Sequence, residues 1–461
     1  MKKYDVIVIG SGGGSKILSP AARMGYKVAV LEREEAGGTC LNRGCIPSKM
    51  LIHPANLATE IKEAHKFGLE VDTRYPVNFS QLVERVTKTV AADSAGIVQA
   101  YKKHPNIDFY HASGKFISDK VMEVAGTQIT AEKIFIAVGA RPQVPSIQGL
   151  AGTPYMTSTE ALRNTRKPRK MIVIGAGYIA AELGHFYGAL GTEVHFLVRS
   201  RFLKNEDHDI AEEFSRVFSR TYNVHLGVIP VEVGYHQETF TVVLQDAEGK
   251  KTQMIADALL VATGVTPNSD QLGLENTAIK INKDGFIHVD DHLRTGVPGV
   301  WALGDVIGRY LFRHSVNFEG EYLFRTVFEK PHDEAIEYPP MPHAVFSYPE
   351  IAAVGKTEDE LKKEGTAYVV GLNPYKASAK GMALLSNYGF CKLLFDRASR
   401  KLLGAHIIGP EASDMIHMPV AYLNMNATLD DMLRTIYIHP ALPEIVRNAA
   451  RKAREQFERL H

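Results

Sequence analysis

Two cysteines separated by four residues, Cys40 and Cys45, lie in the segment Gly37–Lys49, GGTCLNRGCIPSK, with Pro47 just beyond them. Thiols this close can form a disulfide once their Cα atoms come within about 4.4–6.8 Å, and a helical start would stack the two sulfurs one turn apart. A helix N-terminus also lowers a thiol pKa, and only the thiolate is a nucleophile or a metal ligand. Three chemistries are therefore open: a redox pair, half of a metal site, or an inert pair. No second Cys or Cys/His pair stands at zinc-finger spacing, so no metal is expected. The chain has only three cysteines, too few for a secreted disulfide framework. The third, Cys391, lies in the strand-like Gly389–Phe395 and reads as a buried, inert thiol.

Near the C-terminus His439-Pro440-Ala441-Leu442-Pro443-Glu444 places a His five residues before a Glu. A carboxylate that orients an imidazole fixes its tautomer and raises its basicity, as acid–base catalysis needs. A structural helix cap would give the same spacing, and on these residues alone both readings stand.

Two glycine turns could hold phosphates. Tyr4–Gly14 reads YDVIVIGSGGG and Lys170–Gly177 reads KMIVIGAG. Glycine lets the backbone approach a pyrophosphate, and the following helix N-terminus supplies free N–H groups and a positive dipole end. Gly10, Gly12 and Gly14 form the first turn. Glu32 ends the next strand, where a carboxylate can accept from a ribose diol. Ser15 stands where a third Gly or Ala is usual, and Pro20 is expected within the first helical turn, where proline is tolerated. The second turn, Gly175-Ala176-Gly177-Tyr178-Ile179-Ala180, fits GxGxxA. Its second strand ends in Val198-Arg199-Ser200-Arg201 rather than in an acidic residue. Two guanidinium groups there suit a 2′-phosphate, so the sequence leans to NADPH over NADH; two solvated surface charges are the alternative.

These groups need elements to place them. Each glycine turn follows a Val/Ile-rich strand and precedes a small-residue helix and a second strand, Lys27–Leu31 and Glu193–Val198, giving a βαβ unit twice in one chain. Further glycine-ended strands are expected at Lys133–Gly139, Ala258–Gly264 and Gly299–Asp305. After the proline-rich break at Tyr338–Pro342, strand-like segments (Tyr388–Phe395, Leu402–Ile408) mix with helical ones (Ala412–Leu423, Leu442–Glu458). The expected fold class is α/β: two Rossmann-like nucleotide-binding domains plus a C-terminal α+β domain. Boundaries are drawn at 1–148, 149–265, 266–337 and 338–461; the family resemblance set out below implies that these are the FAD-binding domain (first part), the NAD(P)-binding domain, the FAD-binding or central domain (second part) and the dimerisation domain. A length of 461 residues fits about three domains of roughly 150 each. A net charge of +1 gives no field for nucleic acid or an anionic membrane. No run approaches the roughly 20 apolar residues of a membrane span. Val6–Ile9 is too short for a secretory segment, so a cytoplasmic location is expected. The basic stretch Arg447–Arg459 reads as a solvated helix face.

Together these segments resemble the family of FAD-dependent pyridine nucleotide–disulfide oxidoreductases, over essentially the whole chain. GGTCLNRGCIPSK and HPALPE carry the resemblance most strongly. GVWALGDVIGRYLFRHSVNFEG and YIHPALPEIV look most like the mycothione reductase branch, and IPSKML is shared with dihydrolipoamide dehydrogenases. The resemblance implies a catalytic set of Cys40, Cys45, His439, Glu444, Lys49 and Glu182. Cys45 faces the flavin, Cys40 exchanges with substrate, and Lys49 and Glu182 pair near flavin N5. It implies that His439 and Glu444 serve the partner's active site in a homodimer. Asp305, otherwise readable as a turn cap, would hold the ribityl–pyrophosphate region, and Tyr178 would cover the flavin. The implied cofactor-binding set is Gly10, Gly12, Gly14, Glu32, Thr39, Gly139, Asp305, Gly175, Gly177, Tyr178, Arg199, Arg201 and Gly264. Two departures stand out: Ala137-Val138-Gly139 replaces the usual A-T-G, and Arg43 places a cation between the cysteines, where it is expected to favour the thiolate or an anionic substrate. Mercuric reductase and thiol-tailed thioredoxin reductases are not expected.

The implied activity is two-electron transfer between NADPH (or NADH/NAD) and a disulfide through FAD, with a small disulfide or dithiol, or a lipoyl-bearing protein, as partner. An NADPH-preferring reductase of a small thiol disulfide comes first. An NAD-linked dihydrolipoamide dehydrogenase comes second, and a flavin electron carrier reducing quinones is the reading from another class.

Overall fold

The computed structural model describes residues 1–460. The chain divides into two compact units. The first comprises Met1–Met50, Ser80–Gln143 and Gly264–Glu337; the second comprises Leu51–Phe79, Val144–Thr263 and the chain from Tyr338 onward.

The first unit is built on β1 (Lys2–Ile9), whose Val6, Ile7 and Val8 are wholly buried. Strand β1 pairs in parallel with β2 (Val28–Leu31) on one side and β3 (Thr127–Ile136) on the other. Burial on both faces explains why these segments read as continuous apolar runs without alternation. Ile107–Tyr110 extends the sheet beyond β2, Val300–Ala302 pairs in parallel with β3, and the antiparallel hairpin Gly114–Ser118/Val121–Val124 completes seven strands. Helix α1 (Ser15–Arg23) follows the first glycine turn. Pro20 is its sixth residue, past the first turn where it was expected; with no N–H, it cannot bond back to the Lys16 carbonyl. Helix α2 (Gly38–Arg43) carries Cys40, and α3 begins at Cys45 and runs to Glu63.

In the second unit β4 (Lys170–Ile174) and β5 (Glu193–Val198) form a four-stranded parallel sheet with Asn223–Leu226 and Ala258–Val261. Helix α4 (Tyr178–Ala189) links β4 to β5, so the second βαβ unit stands as read. A three-stranded antiparallel sheet over Ile229–Ala256 accompanies it. The C-terminal region forms a five-stranded antiparallel sheet ordered His343–Val345, Ile351–Gly355, Leu402–Ile408, Phe390–Asp396 and Tyr368–Pro374. Two helices, Ala412–Met415 and His417–Asn424, replace the single one expected over Ala412–Leu423.

Helix α7 (Glu444–Arg459) buries Ile445, Val446, Ala449, Ala450, Ala453 and Phe457, a 3.6-period stripe set against Val369, Leu393 and Phe395. It crosses the sheet at Gly371, where a Cβ would stand 2.1 Å from the Ala449 carbonyl. Arg451, Lys452 and Arg454 face water as expected, but Arg447 does not. Helices α5 (His208–Phe218) and α6 (Arg313–Phe324) complete the elements that position functional groups. Among the described residues no helix is long and apolar enough to cross a membrane.

Candidate functional site

In the first unit the two cysteines meet across a helix break. Helix α2 ends at Gly44, where a Cβ would lie 2.9 Å from the Thr39 carbonyl oxygen, and α3 restarts at Cys45. The sulfurs are therefore not stacked along one helical turn, as the sequence suggested. Asn42, buried between them in sequence, ties α2 down by donating to the carbonyls of Glu35, Ala36 and Gly38 at 3.2, 2.9 and 3.1 Å.

Both cysteines are free thiols, Cys40 half-buried and Cys45 exposed at its edge. The Cys45 thiol donates to Cys40, and this bond is the largest influence bringing the Cys40 pKa down to about 7; burial opposes it, and the Arg313 and Lys49 cations assist. The same bond, together with burial, pushes Cys45 up. The pair thus holds one sulfur as the nucleophile and the other as its proton donor. Arg43 does not supply the expected cation. Its guanidinium is tied to Glu34 and, at 2.9 Å, to Glu35, and Arg313 at the start of α6 acts on Cys40 instead.

The glycine turn lies in the same unit. Gly10 has φ +97°, and a Cβ there would stand 2.3 Å from the Ala137 carbonyl; on Gly14 it would stand 2.3 Å from that of Gly10. These approaches require glycine. Gly12 lies against Gly38, which opens α2, so the turn and the dithiol helix are packed together. Ser15 takes the place of the third glycine by donating to the Gly12 carbonyl at 2.7 Å. Glu32 is buried and oriented by the Ser11 amide and hydroxyl at 3.0 and 2.7 Å and by the Glu34 amide at 3.1 Å. Asp305 sits in the short turn Gly304–Ile307, and burial pushes it up to about 6. A carboxyl so desolvated suits a ligand hydroxyl as its missing partner. A cradle that admits no Cβ, an aligned acid at the end of β2 and an acid lacking a donor together fit a dinucleotide. Thr39, Gly139 (φ +67°) and Gly264 (φ +125°) belong to this unit as well. Lys49 lies half-buried on α3.

The remaining expected residues lie in the second unit. Gly175 needs its φ of +140°, since a Cβ would stand 2.1 Å from the Ala262 carbonyl, and Gly177 caps α4. Tyr178 opens α4 half-buried, with burial and Glu206 raising its phenol pKa. Arg199 is exposed just beyond β5. Arg201 meets His208 Nδ1 at 3.0 Å and donates to the Lys204 carbonyl at 2.9 Å, which holds it beside the strand end. Glu182 is buried on α4 and accepts from the Phe346 amide at 3.1 Å. His439 Nδ1 lies 3.0 Å from Glu444, whose side chain is 4% exposed while that of His439 is 69% exposed. Ile436 and Ile438 stand 97% and 81% exposed beside it, apolar surface of the kind that partners cover.

Sequence reasoning missed Arg313 and Arg447. Arg313 lies 273 positions from Cys40, and no local pattern signals such a contact. Arg447 did carry a signal, since it stands one helical turn beyond Glu444.

Residues 4–320 match the pyridine nucleotide-disulphide oxidoreductase family, and residues 341–450 match its dimerisation domain. Mycothione reductase of Mycobacterium tuberculosis is 34% identical over 97% of this chain and 99% of its own length. Dihydrolipoyl dehydrogenase 2, mitochondrial, of Arabidopsis thaliana is 33% identical over 97% and 89%. The HOCl-induced flavoprotein disulfide reductase RclA from Escherichia coli superposes with a TM-score of 0.86, at 26% identity, over 97% of this chain and 99% of that one.

Proposed function

Since this chain belongs to the pyridine nucleotide–disulphide oxidoreductases, enzymes that bind FAD and NAD(P)H, we propose that it is an NADPH-preferring reductase of a small thiol disulfide. The observation that carries the reading is the hydrogen-bonded Cys40–Cys45 pair with Cys40 as its acid member. Gly10, Gly12, Gly14, Glu32, Thr39, Gly139 and Asp305 would hold FAD. Gly175, Gly177, Tyr178, Arg199, Arg201 and Gly264 complete the cofactor-binding set. FAD held there would supply two-electron transfer between the nicotinamide and the cysteine pair.

The protein's own groups do the rest. Cys40 attacks one sulfur of the substrate disulfide, forming a mixed disulfide and releasing the first thiolate. His439, oriented by Glu444 and contributed by the second subunit of a homodimer, protonates that thiolate. Cys45 then attacks the Cys40 sulfur, releasing the second thiol and leaving the Cys40–Cys45 disulfide for reduction. Lys49 and Glu182 would serve the flavin N5 region as the resemblance implies, and the four segments drawn from the sequence would be the FAD-binding, NAD(P)-binding, central and dimerisation parts. The dimerisation-domain match supports the homodimer, and the exposed Ile436 and Ile438 agree with it.

The mycothione reductase similarity and the two arginines after β5 favour NADPH and a low-molecular-weight disulfide. Dihydrolipoamide dehydrogenation is the second reading, favoured by relatives of nearly equal identity. The deciding test offers NADPH and NADH with oxidised glutathione, mycothione and lipoamide to purified enzyme. A strong NADPH preference, lost in Arg199→Glu, is the expected result. NADH/NAD preference with rapid lipoamide turnover would overturn it.

A further inference from the structure

Glu444 carries its charge in near-complete burial, and three donors share it. His439 Nδ1 lies at 3.0 Å, the Ala441 amide at 3.1 Å and Arg447 Nη2 at 2.5 Å. Burial would raise the Glu444 pKa, but these bonds outweigh it and hold the carboxyl below its ordinary value. The Arg447 guanidinium stacks 5.5 Å from the centre of the Tyr437 ring. The Tyr437 hydroxyl in turn lies 3.3 Å from both the Met432 carbonyl and the Tyr422 hydroxyl. Arg447 Nε is buried without a hydrogen-bond partner, so the planar fork is committed to one carboxylate and one aromatic face.

We propose that Arg447 is a positioning residue for the disulfide–thiol step: it orients Glu444 and takes up part of the negative charge that Glu444 would otherwise direct wholly at His439. The proposal rests on the reading of His439 given above. Two physical effects act in the same direction. A carboxylate shared with a guanidinium stabilises an imidazolium less than an unshared one, and the guanidinium charge itself disfavours a second cation nearby. Among the described residues the charged group set against the His439–Glu444 pair is Arg447, from α7. The neighbouring phenol of Tyr437 and the thiol of Cys391 are both pushed up by burial and stay neutral. Arginine is suited to the place because it can bond and stack at once, which an ammonium does not do.

The test compares wild type, Arg447→Gln, Arg447→Lys and His439→Gln as flavin-loaded enzymes. One probe is lipoamide or oxidised glutathione, whichever the wild type reduces faster. The other is 5,5′-dithiobis(2-nitrobenzoate), whose thiolate leaves without being protonated. In Arg447→Gln the alkaline limb of the pH–rate profile for the aliphatic disulfide should move up by about one pH unit. The aromatic disulfide should be reduced at the wild-type rate, sedimentation should still show a dimer, and Arg447→Lys should fall in between. An unmoved limb, or equal loss with both disulfides, would overturn the proposal and make Arg447 a purely structural residue. If His439→Gln keeps its aliphatic disulfide turnover, the assignment of His439 fails first and the proposal falls with it.

Discussion

Cys40 and Cys45 lie on either side of the Gly44 break, one in the first turn of α2 and the other as the first residue of α3, and their thiols are joined by a hydrogen bond. That bond is the largest influence on the asymmetry between them, since the donor is held protonated while the acceptor gains acidity. Alkylation of the reduced enzyme by iodoacetamide, followed by mass spectrometry at Cys40, should titrate with a midpoint near the value of about 7. In Cys45→Ala the midpoint should rise toward the ordinary thiol value of about 8.5. An unchanged midpoint would mean that the surrounding charges, and not Cys45, set the acidity.

Which cation assists Cys40 can be decided by the same titration. Arg43 is neutralised by Glu34 and Glu35, whereas Arg313 acts on Cys40 through space. Arg313→Gln should raise the midpoint, by less than Cys45→Ala does, and Arg43→Gln should leave it in place. A larger effect from Arg43→Gln would restore the expectation drawn from its position between the cysteines.

Asp305 makes a prediction that separates stability from binding. Its pKa is raised to about 6 by burial, so the folded state binds its proton more tightly than the unfolded chain, where it titrates near 4. Ionisation therefore costs stability above about pH 6, and the cost vanishes below about pH 4. Stripped of flavin, Asp305→Asn should melt about 2 °C above wild type at pH 8, and the gap should close as the pH falls to 4. The same variant should bind FAD about tenfold more weakly, as expected for a lost charge-assisted hydrogen bond. Calorimetry and fluorescence titration with FAD would check both, and lower stability at pH 8 would refute the sign.

The legible parts of this protein were those encoded locally. The two βαβ units, the glycine turns, Glu32 at the end of β2 and the His439–Glu444 spacing each depend on a period or a turn within a few dozen residues, and the structure forms those elements there. Local pattern misled where a single small residue overrides a helix, as at Gly44, where the close Thr39 carbonyl ends α2. It also misled at Arg447, because a charged helix face reads as solvated unless the opposing ring of Tyr437 is known. Arg313 acts on Cys40 from 273 positions away, and the raised pKa of Asp305 comes from burial by the rest of the fold, properties of packing that no window of sequence contains.

Lys392 gives the largest expected effect on stability. It lies in a strand of the C-terminal sheet, wholly buried, and its ammonium donates to Asp207 at 2.8 Å, Asp209 at 2.7 Å and Glu358 at 2.5 Å. Asp207 is itself fully buried, caps α5 through the Asp209 amide and accepts from the Glu358 amide at 3.1 Å. Removing the cation leaves a buried carboxylate and two nearby acids uncompensated, a class of change that costs about 3–5 kcal/mol. Lys392→Met should therefore lower the urea midpoint substantially at pH 7, although methionine fits the volume. Burial acts to raise Glu358 and Asp207, yet other influences prevail: bonds from Lys392 and Tyr368 bring Glu358 down to about 2, and the nearby His406 together with Lys392 takes Asp207 below its ordinary value. Folded-state pKa values below the unfolded ones mean that the network stabilises the wild type above about pH 4, and that this contribution is lost as the pH falls toward 2. The deficit of Lys392→Met should accordingly shrink between pH 4 and pH 2, because the orphaned acids become neutral. A deficit that stayed constant over that range would show that lost packing, and not unpaired charge, accounts for the destabilisation.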